Sequence, residues 1–298
     1  MKEIENIMNK YTDKYINENL NSLDNLNEFT GLFAKDVADI YDCITRIRNI
    51  ERNQNGFNLN DAPILGLLTR IWKLLKEIVI YYEKENAELI SILERPLIEA
   101  AITAEFLLKS DSTVIEDYRK CSYKDRLRIL QELKNGSKFF KTKAGKRLLK
   151  SVQWKMDLEN FSEDDFKIQK KNRWRLQGKT FFDIFKEISD ENLYKYTYGL
   201  MSESIHGSWN ESLDWSLQKN IDNTFSVYPF YHKPDIRYIS PTLLFCNNAY
   251  KLWLKRIDCD DKYVIDILTW IEKVNNTIFI IFNDKYDGNS KGVEESSP

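Results

Sequence analysis

Apolar residues recur every three or four positions along most of the chain, the spacing that places them on one face of an α-helix. The strongest repeat runs from Ile64 to Tyr82, directly after Pro63. A second repeat runs from Leu89 to Leu108, and Pro96 within it predicts a kink or a restart of the helix. The pattern therefore predicts two consecutive core helices.

The same spacing predicts helices towards both ends of the chain. Before about residue 53 it indicates two amphipathic helices that pack as a hairpin, the second carrying the repeat from Phe33 to Ile47. An Asn-rich stretch up to Pro63 then predicts a linker before a new helix. Two final helices are expected at about Pro241–Ile257 and Asp260–Phe282, followed by a polar tail.

The segment from about residue 220 to residue 240 lacks helical spacing. Its prolines and β-prone aromatic residues predict a long ordered loop that carries a short hairpin. The predicted fold class is therefore all-α, a multi-helix bundle with an N-terminal helical hairpin and one long ordered loop. The expected division is a hairpin at residues 1–60, a helical core domain at 61–283 and a mobile tail at 284–298.

Composition excludes several classes of protein. The 298 residues are 42% apolar, enough for a large core, while ten glycines and six prolines are too few for an all-β sandwich. The cysteines are dispersed and common cofactor motifs are missing, so we expect neither a metal nor another cofactor. Since no signal-like segment and no apolar run of about 20 residues occurs, we expect a cytoplasmic protein that does not enter a membrane.

Charge is distributed unevenly along the chain. The net charge is −2, yet the segment from Arg119 to Lys179 holds 19 Lys and Arg residues against seven Asp and Glu residues, a local charge of +12. The rest of the chain therefore carries −14. Such an asymmetry indicates RNA, single-stranded DNA or another anionic partner.

The residues expected to contact nucleic acid lie in this basic segment, within a run that also holds Lys150 and Trp154. They are Lys143, Lys146, Arg147, Lys171, Arg173, Trp174 and Arg175. Cations interleaved with aromatic side chains suit single-stranded nucleic acid, through phosphate contacts and base stacking. The alternative is a lysine-rich helix face that is only solvated, and both interpretations stay open.

Four polar side chains follow one another at i, i+4 on one predicted helix: Tyr194, Tyr198, Ser202 and His206. His206 is one of only two histidines and is the natural general acid or base of the chain. The structural alternative is that His206 caps the helix end and hydrogen-bonds within the core. Gly199, on nearly the same face, indicates close packing by a helix or a ligand.

The helix that contains Pro96 carries a second group of polar residues. Arg95 and Glu99 share a face near the edge of the apolar stripe, and Glu105 falls among predicted core positions. A buried carboxylate is costly without a partner, so we expect Glu105 to pair with Arg95, His206 or a tyrosine hydroxyl. The result is either a structural polar core or a site with shifted pKa values.

These two segments together resemble the bacterial domain-of-unknown-function family numbered 5677. The resemblance rests on ERPLIEAAITAEFLL, a later basic run with tryptophan, and LYKYTYGLMSESIHGSW, and covers Leu65 to Tyr250. The family pattern pairs Arg-x-x-x-Glu on one helix with Tyr-x-x-x-Ser-x-x-x-His on another. Here these positions are Arg95, Glu99, Tyr198, Ser202 and His206. The resemblance implies a helical fold and a site at these residues, but it implies no reaction.

A more distant resemblance is to the helical HEPN ribonucleases and toxins of bacterial defence systems. Those proteins place an arginine shortly before a histidine on one helix. The chain departs from that pattern, because Gly199, Leu200 and Met201 stand where the arginine would be. Arg95 would have to approach His206 from another helix.

Two hypotheses of function follow. The first is a cytosolic bacterial accessory or defence-type protein that binds RNA or a protein partner, a second copy of itself included, through the basic face. The second is a metal-independent, HEPN-like ribonuclease or toxin in which His206 acts as general acid or base, Tyr198 and Ser202 orient it, and Arg95 stabilises the scissile phosphate. The second requires Arg95 and His206 to converge.

Overall fold

Helices account for most of the chain, and the fold is an all-α multi-helix bundle. A computed structural model describes residues 2–11, 13–18, 20–166 and 175–286. In chain order the helices are α1 (Lys2–Met8), α2 (Asp13–Glu18), α3 (Leu23–Thr45), α4 (Ala62–Glu83), α5 (Ala87–Lys109), α6 (Ser112–Cys121), α7 (Lys124–Lys134), α8 (Lys143–Leu158), α9 (Phe181–Ile188), α10 (Glu191–Tyr194), α11 (Met201–His206), α12 (Trp209–Trp215), α13 (Ser240–Arg256) and α14 (Lys262–Lys285). Among the described residues, every helix is too short or too polar to cross a membrane.

The chain divides into two units. The first comprises residues 1–109 and 185–298, and the second comprises residues 110–184. In the first unit α4 packs against both α3 and α5, while α13 packs against α5 and α14. One unit thus contains both residues 1–60, expected to form a separate hairpin, and α4, the first helix of the expected core domain. Separate folding of residues 1–60 stays a prediction.

Aromatic side chains join these helices at the centre of the first unit. The rings of Tyr41 on α3 and Tyr250 on α13 are stacked with their centroids 3.9 Å apart. The hydroxyl of Tyr250 donates a hydrogen bond of 2.8 Å to the carbonyl oxygen of Leu68 on α4. Both rings are fully buried, so burial of apolar area and a satisfied hydroxyl act together to stabilise the contact of three helices.

The second unit has its own small core. Its buried side chains come from α7, α8 and the segments beside them: Tyr123, Leu127, Leu130, Val152, Met156 and Phe166. At the start of α8, the backbone of Phe139 and Phe140 passes so close to Gly145 that a Cβ there would lie 2.3 Å from the Phe139 carbonyl oxygen. Glycine is therefore required at this approach.

Three local predictions can be compared with the structure. Helix α5 continues from Ala87 to Lys109 through Pro96, so there is no restart. The loop does carry the expected hairpin, formed by β1 (Leu217–Lys219) paired antiparallel with β2 (Phe225–Val227). Residues 287–298, most of the expected tail, lie outside the described residues.

Candidate functional site

Two helices of the first unit carry the polar residues predicted to form a site. Arg95 and Glu99 lie one turn apart on α5, and both are half-buried. The second helix is continuous from Glu191 to His206 except at Lys195–Gly199, which forms a π-helical turn between α10 and α11. Such turns are rare in proteins, and those that do occur are often found at functional sites.

Arg95 joins the two helices. Its Nη1 donates a hydrogen bond to the hydroxyl oxygen of Ser202, and its guanidinium carbon lies 4.2 Å from the centroid of the Tyr198 ring. The Tyr198 hydroxyl in turn donates a hydrogen bond of 3.1 Å to Oε2 of Glu99. We call Arg95, Glu99, Tyr198 and Ser202 the Arg95 cluster. Four of the five predicted residues are thereby brought together.

The phenol of Tyr198 is held in its protonated form. Burial raises its pKa well above the ordinary value, the Glu99 carboxylate raises it further, and the Arg95 guanidinium acts in the opposite direction. The side chain is 5% exposed, so it is the most buried member of the Arg95 cluster. Tyr198 therefore acts as a hydrogen-bond donor to Glu99 and as an aromatic surface beneath the guanidinium.

His206 lies outside the Arg95 cluster. It is exposed at the end of α11, and no described residue forms a hydrogen bond or an ion pair with it. The helix ends at Gly207, whose left-handed backbone (φ 59°, ψ 50°) makes it the C-cap residue. The structural alternative for His206, hydrogen-bonding within the core as a cap, is therefore wrong.

The π-helical turn interrupts the regular α-helical spacing of Tyr194, Tyr198, Ser202 and His206, so these four side chains do not lie on one continuous α-helical face. Gly199 is closest to the carbonyl oxygen of Tyr194, five residues earlier, which would lie 3.2 Å from an added Cβ. The glycine accommodates this close approach within its own helix. Among the described residues no atom of a second helix lies within 4 Å of its Cβ position, so the prediction of close packing by another helix is wrong, while close packing by a ligand stays a prediction.

The partners of the buried carboxylates on α5 differ from those predicted. Glu105 is 5% exposed, as expected, but its partner is Lys109 on its own helix, at 2.6 Å, rather than Arg95, His206 or a tyrosine. Glu94, which is not one of the predicted site residues, is equally buried and accepts only a 3.4 Å hydrogen bond from the Thr242 hydroxyl among the described residues. Burial raises the pKa of Glu94 well above its ordinary value.

Four of the seven residues predicted to contact nucleic acid lie in the described part of the second unit. Lys143, Lys146 and Arg147 on α8 and Arg175 are all exposed. The remaining three predicted residues, Lys171, Arg173 and Trp174, lie outside the described residues. On α8 the exposed face continues with Lys150 and with Trp154, whose side chain is 60% exposed.

No ion pair compensates these cations within the described parts of the chain. Elsewhere many cations are paired, as Lys134 is with Glu163 at 2.8 Å, but Lys143, Lys146, Arg147 and Lys150 have no acidic partner there. We call these four residues and Trp154 the α8 basic face. An uncompensated cluster of cations beside an exposed indole is suited to a flexible polyanion that carries aromatic bases.

Comparison with known proteins places the chain in a family. No curated protein and no solved structure matches it. The pattern of DUF5677, a family of unknown function, matches residues 61–224, which is more than half of the chain and includes both helices of the Arg95 cluster as well as α8. The chain therefore belongs to the family of unknown function DUF5677.

Proposed function

We propose that the protein binds single-stranded RNA through the α8 basic face, as a cytosolic bacterial accessory or defence-type protein. The observation that carries this proposal is the set of four exposed cations on α8 that lack an acidic partner in the described structure. Lys143, Arg147, Lys150 and Trp154 follow at spacings of four, three and four, so they project from one side of the helix.

Phosphate contacts would supply most of the affinity. Each contact releases counterions, so the logarithm of the association constant falls with the logarithm of salt by about 0.7 per phosphate for a single strand. Trp154 would add base stacking, which is worth about 1–3 kcal/mol per base in such interfaces and tolerates any base. The expected binding is therefore salt-dependent and only weakly sequence-specific.

The test is fluorescence anisotropy with labelled single-stranded RNA, titrated at several salt concentrations. Replacing Lys143, Lys146, Arg147 and Lys150 together with alanine is expected to reduce the salt slope by about 3, since four phosphate contacts are lost. Trp154→Ala should weaken binding about five- to a hundredfold, and Trp154→Phe should retain most of it because a ring is kept.

A charge-matched control comes from exposed lysines of the first unit. Replacing Lys35, Lys219, Lys255 and Lys262 with alanine removes the same charge from outside α8. The salt slope of this variant should differ from that of the wild type by no more than about 0.7, the contribution of one phosphate contact. A slope that is flat in the wild type, or equally reduced in both quadruple variants, would exclude the α8 basic face as the RNA-binding surface.

The second candidate function is metal-independent RNA cleavage at the Arg95 cluster. The observation that favours it is the hydrogen bond from Arg95 to Ser202, because His206 follows Ser202 by one helical turn and is exposed. His206 would accept or donate the proton, and Arg95 would exchange Ser202 for the phosphate.

Cleavage is tested by incubating RNA with the wild type and with His206→Ala in the presence of a chelator. Cleavage by the wild type that falls at least about a hundredfold in His206→Ala is expected, given the usual contribution of a general acid or base. Asn210→Ala, an exposed substitution in the next helix, is the matched control. RNA that stays intact with all three proteins would refute cleavage at the Arg95 cluster and leave RNA binding as the remaining proposal.

A further inference from the structure

A cavity of about 290 Å³ lies within the first unit. It lies between α5, the junction of α9 with α10, α13 and α14, it is open to solvent on one side, and no residue of the Arg95 cluster lines it. Ligand sites in proteins begin at about 300 Å³, so the space suits one small molecule rather than a peptide or an oligonucleotide.

The polar side of this cavity consists mainly of asparagines. Two consecutive pairs, one on α13 and one on α14, line it: Asn247, Asn248, Asn275 and Asn276. Asn247 is fully engaged, because its Nδ2 donates to the Leu268 carbonyl at 2.7 Å and its Oδ1 accepts from the Tyr41 hydroxyl at 3.2 Å. Its amide is therefore structural.

Asn275 is only half engaged. Its Nδ2 donates a hydrogen bond of 2.9 Å to the Ser240 carbonyl, but no described residue donates to its Oδ1, and the side chain is 4% exposed. A buried acceptor without a donor is destabilising, and such groups in native proteins call for a water or a ligand. This Oδ1 atom is itself inaccessible to solvent, so the acceptors that a ligand can reach in this cavity belong to Glu105 and to the exposed amides of the rim.

The rim and the walls supply the remaining chemistry. Asn248 and Asn276 are exposed and their side-chain amides form no hydrogen bond with any described residue, so each amide offers both a donor and an acceptor. Glu105 also lines the cavity, with one carboxylate oxygen bonded to Lys109. The rim pair Lys251–Glu272 completes the charged lining, which holds two carboxylates and one ammonium group.

Apolar side chains form the rest of the wall, among them Ile102, Leu193, Leu243 and Phe245. A matching ligand therefore has apolar faces and an edge that donates N–H hydrogen bonds. Carboxamides recognise the edges of nucleobases in this way, and carboxylates accept from amino groups of bases. The excess of carboxylates over ammonium groups disfavours a phosphate.

We propose that this cavity binds a nucleobase without a phosphate group, as a free base or a nucleoside. The faces of the base lie against the apolar wall, and its amino group donates to the carboxylate oxygen of Glu105 that Lys109 does not use. The carboxamides of Asn248 and Asn276 hold the outer edge or the ribose hydroxyls. This site does not depend on the α8 basic face.

The test is isothermal titration of the full chain with adenosine, guanosine, cytidine and uridine separately. Adenosine, guanosine and cytidine carry an amino group on the base, so at least one of them should bind more tightly than uridine, by about tenfold or more if one well-formed hydrogen bond to a carboxylate is lost. Inorganic phosphate and spermidine, added alone, should not bind in the cavity because they lack flat apolar faces.

Two variants locate the binding. Leu193→Trp fills the cavity with a larger side chain. The double change Asn248→Ala with Asn276→Ala removes the rim amides at exposed positions, where substitution should have little effect on stability. Each should raise the dissociation constant at least about tenfold. The matched control, Asn55→Ala with Asn210→Ala, removes two exposed amides elsewhere and should bind as the wild type does.

The outcomes that overturn the proposal are distinct from failure of RNA binding. Absence of heat with all four nucleosides, binding of phosphate or spermidine that Leu193→Trp abolishes, or unchanged affinity in both cavity variants would each refute it. The quadruple α8 variant should bind nucleosides normally, since it keeps every residue that lines the cavity. A loss of nucleoside binding in that variant would also contradict the proposal.

Discussion

The guanidinium of Arg95 and the hydroxyl of Ser202, 107 positions apart in the chain, are joined by a direct hydrogen bond. The same guanidinium lies over the ring of Tyr198, so one side chain on α5 contacts both the π-helical turn and α11. Arginine suits this position because its planar group can stack on a ring while its N–H groups donate in the plane.

We expect Arg95→Ala to lower the free energy of unfolding by about 1–3 kcal/mol, because a cation–π contact and a hydrogen bond are both lost. Arg95→Lys should recover less than half of this loss, since an ammonium group cannot stack and donate in the same geometry. Urea unfolding of the two variants measures both values.

A double-mutant cycle isolates the contact itself. Arg95→Ala and Ser202→Ala should show a coupling energy of about 0.5–1.5 kcal/mol when combined. The matched control is Arg70→Ala, an exposed arginine on α4, which should change stability by less than about 0.5 kcal/mol. Full additivity of the two cluster substitutions would mean that the hydrogen bond contributes nothing to stability.

Glu94 is expected to make the protein less stable as pH rises. Its folded-state pKa is raised by burial from an ordinary value of 4.5, so the folded state binds the proton more tightly than the unfolded state does. Its contribution to stability therefore falls as pH rises above about 4.5 towards the folded-state pKa. Glu94→Gln should gain stability relative to the wild type as pH rises, which urea unfolding at pH 5 and at pH 8 measures.

The exposed carboxylate of Glu77 on α4 provides the control. Glu77→Gln should leave the difference from the wild type nearly constant between the two pH values. The burial of Tyr238 itself, and after it the carboxylate of the neighbouring Glu94, raise the pKa of Tyr238 to about 12. A Glu94→Gln variant whose advantage does not grow with pH would contradict a protonated buried Glu94.

Gly145 is expected to tolerate no side chain. Gly145→Ala would place its Cβ against the backbone of Phe139 and Phe140, which cannot move aside as a flexible side chain can. We expect a loss of about 1–3 kcal/mol in the free energy of unfolding, because the start of α8 can no longer pack closely against Phe139 and Phe140. Gly66→Ala on α4 is the opposite control: nothing lies within 4 Å of its Cβ position, so stability should rise by up to about 1 kcal/mol.

Asp61 holds the segment before α4 to the end of α13. Its side chain is fully buried and accepts hydrogen bonds from Arg256 at 2.7 Å, Asn58 at 2.9 Å and Arg52 at 3.2 Å. Removing its charge leaves the guanidinium of Arg256 without a counter-ion among the described residues and leaves Arg52 with only the exposed Asp258. Asp61→Asn should therefore cost about 3–5 kcal/mol by urea unfolding.

The exposed partner of Arg52 gives the comparison for this prediction. Asp258 lies 3.7 Å from the Arg52 guanidinium, but its side chain is 70% exposed. Asp258→Asn should therefore change stability by less than about 1 kcal/mol, as exposed ion pairs usually do. Equal losses in the two variants would show that burial is not what makes Asp61 important.

Local patterns predicted a large part of this protein. The helical repeats indicated α4, α5, α13 and α14 because the spacing that makes a helix amphipathic extends over only a few residues. The same reasoning could have found Glu94. It lies eleven positions before Glu105, three helical turns, so the two carboxylates occupy nearly the same face of α5.

Sequence alone determined the all-α class, the basic α8, and the pairing of Arg95 and Glu99 with the helix of Tyr198 and Ser202 through the family pattern. Only the tertiary structure decided that Ser202 is the partner of Arg95, that Glu94 lacks a cation among the described residues, and that His206 faces solvent. The pair Glu105–Lys109 is local, at i, i+4 on α5, and helical spacing could have predicted it. The reason is physical. Helical spacing depends on neighbours a few positions apart, whereas burial and partners depend on which helices pack together across a hundred positions or more.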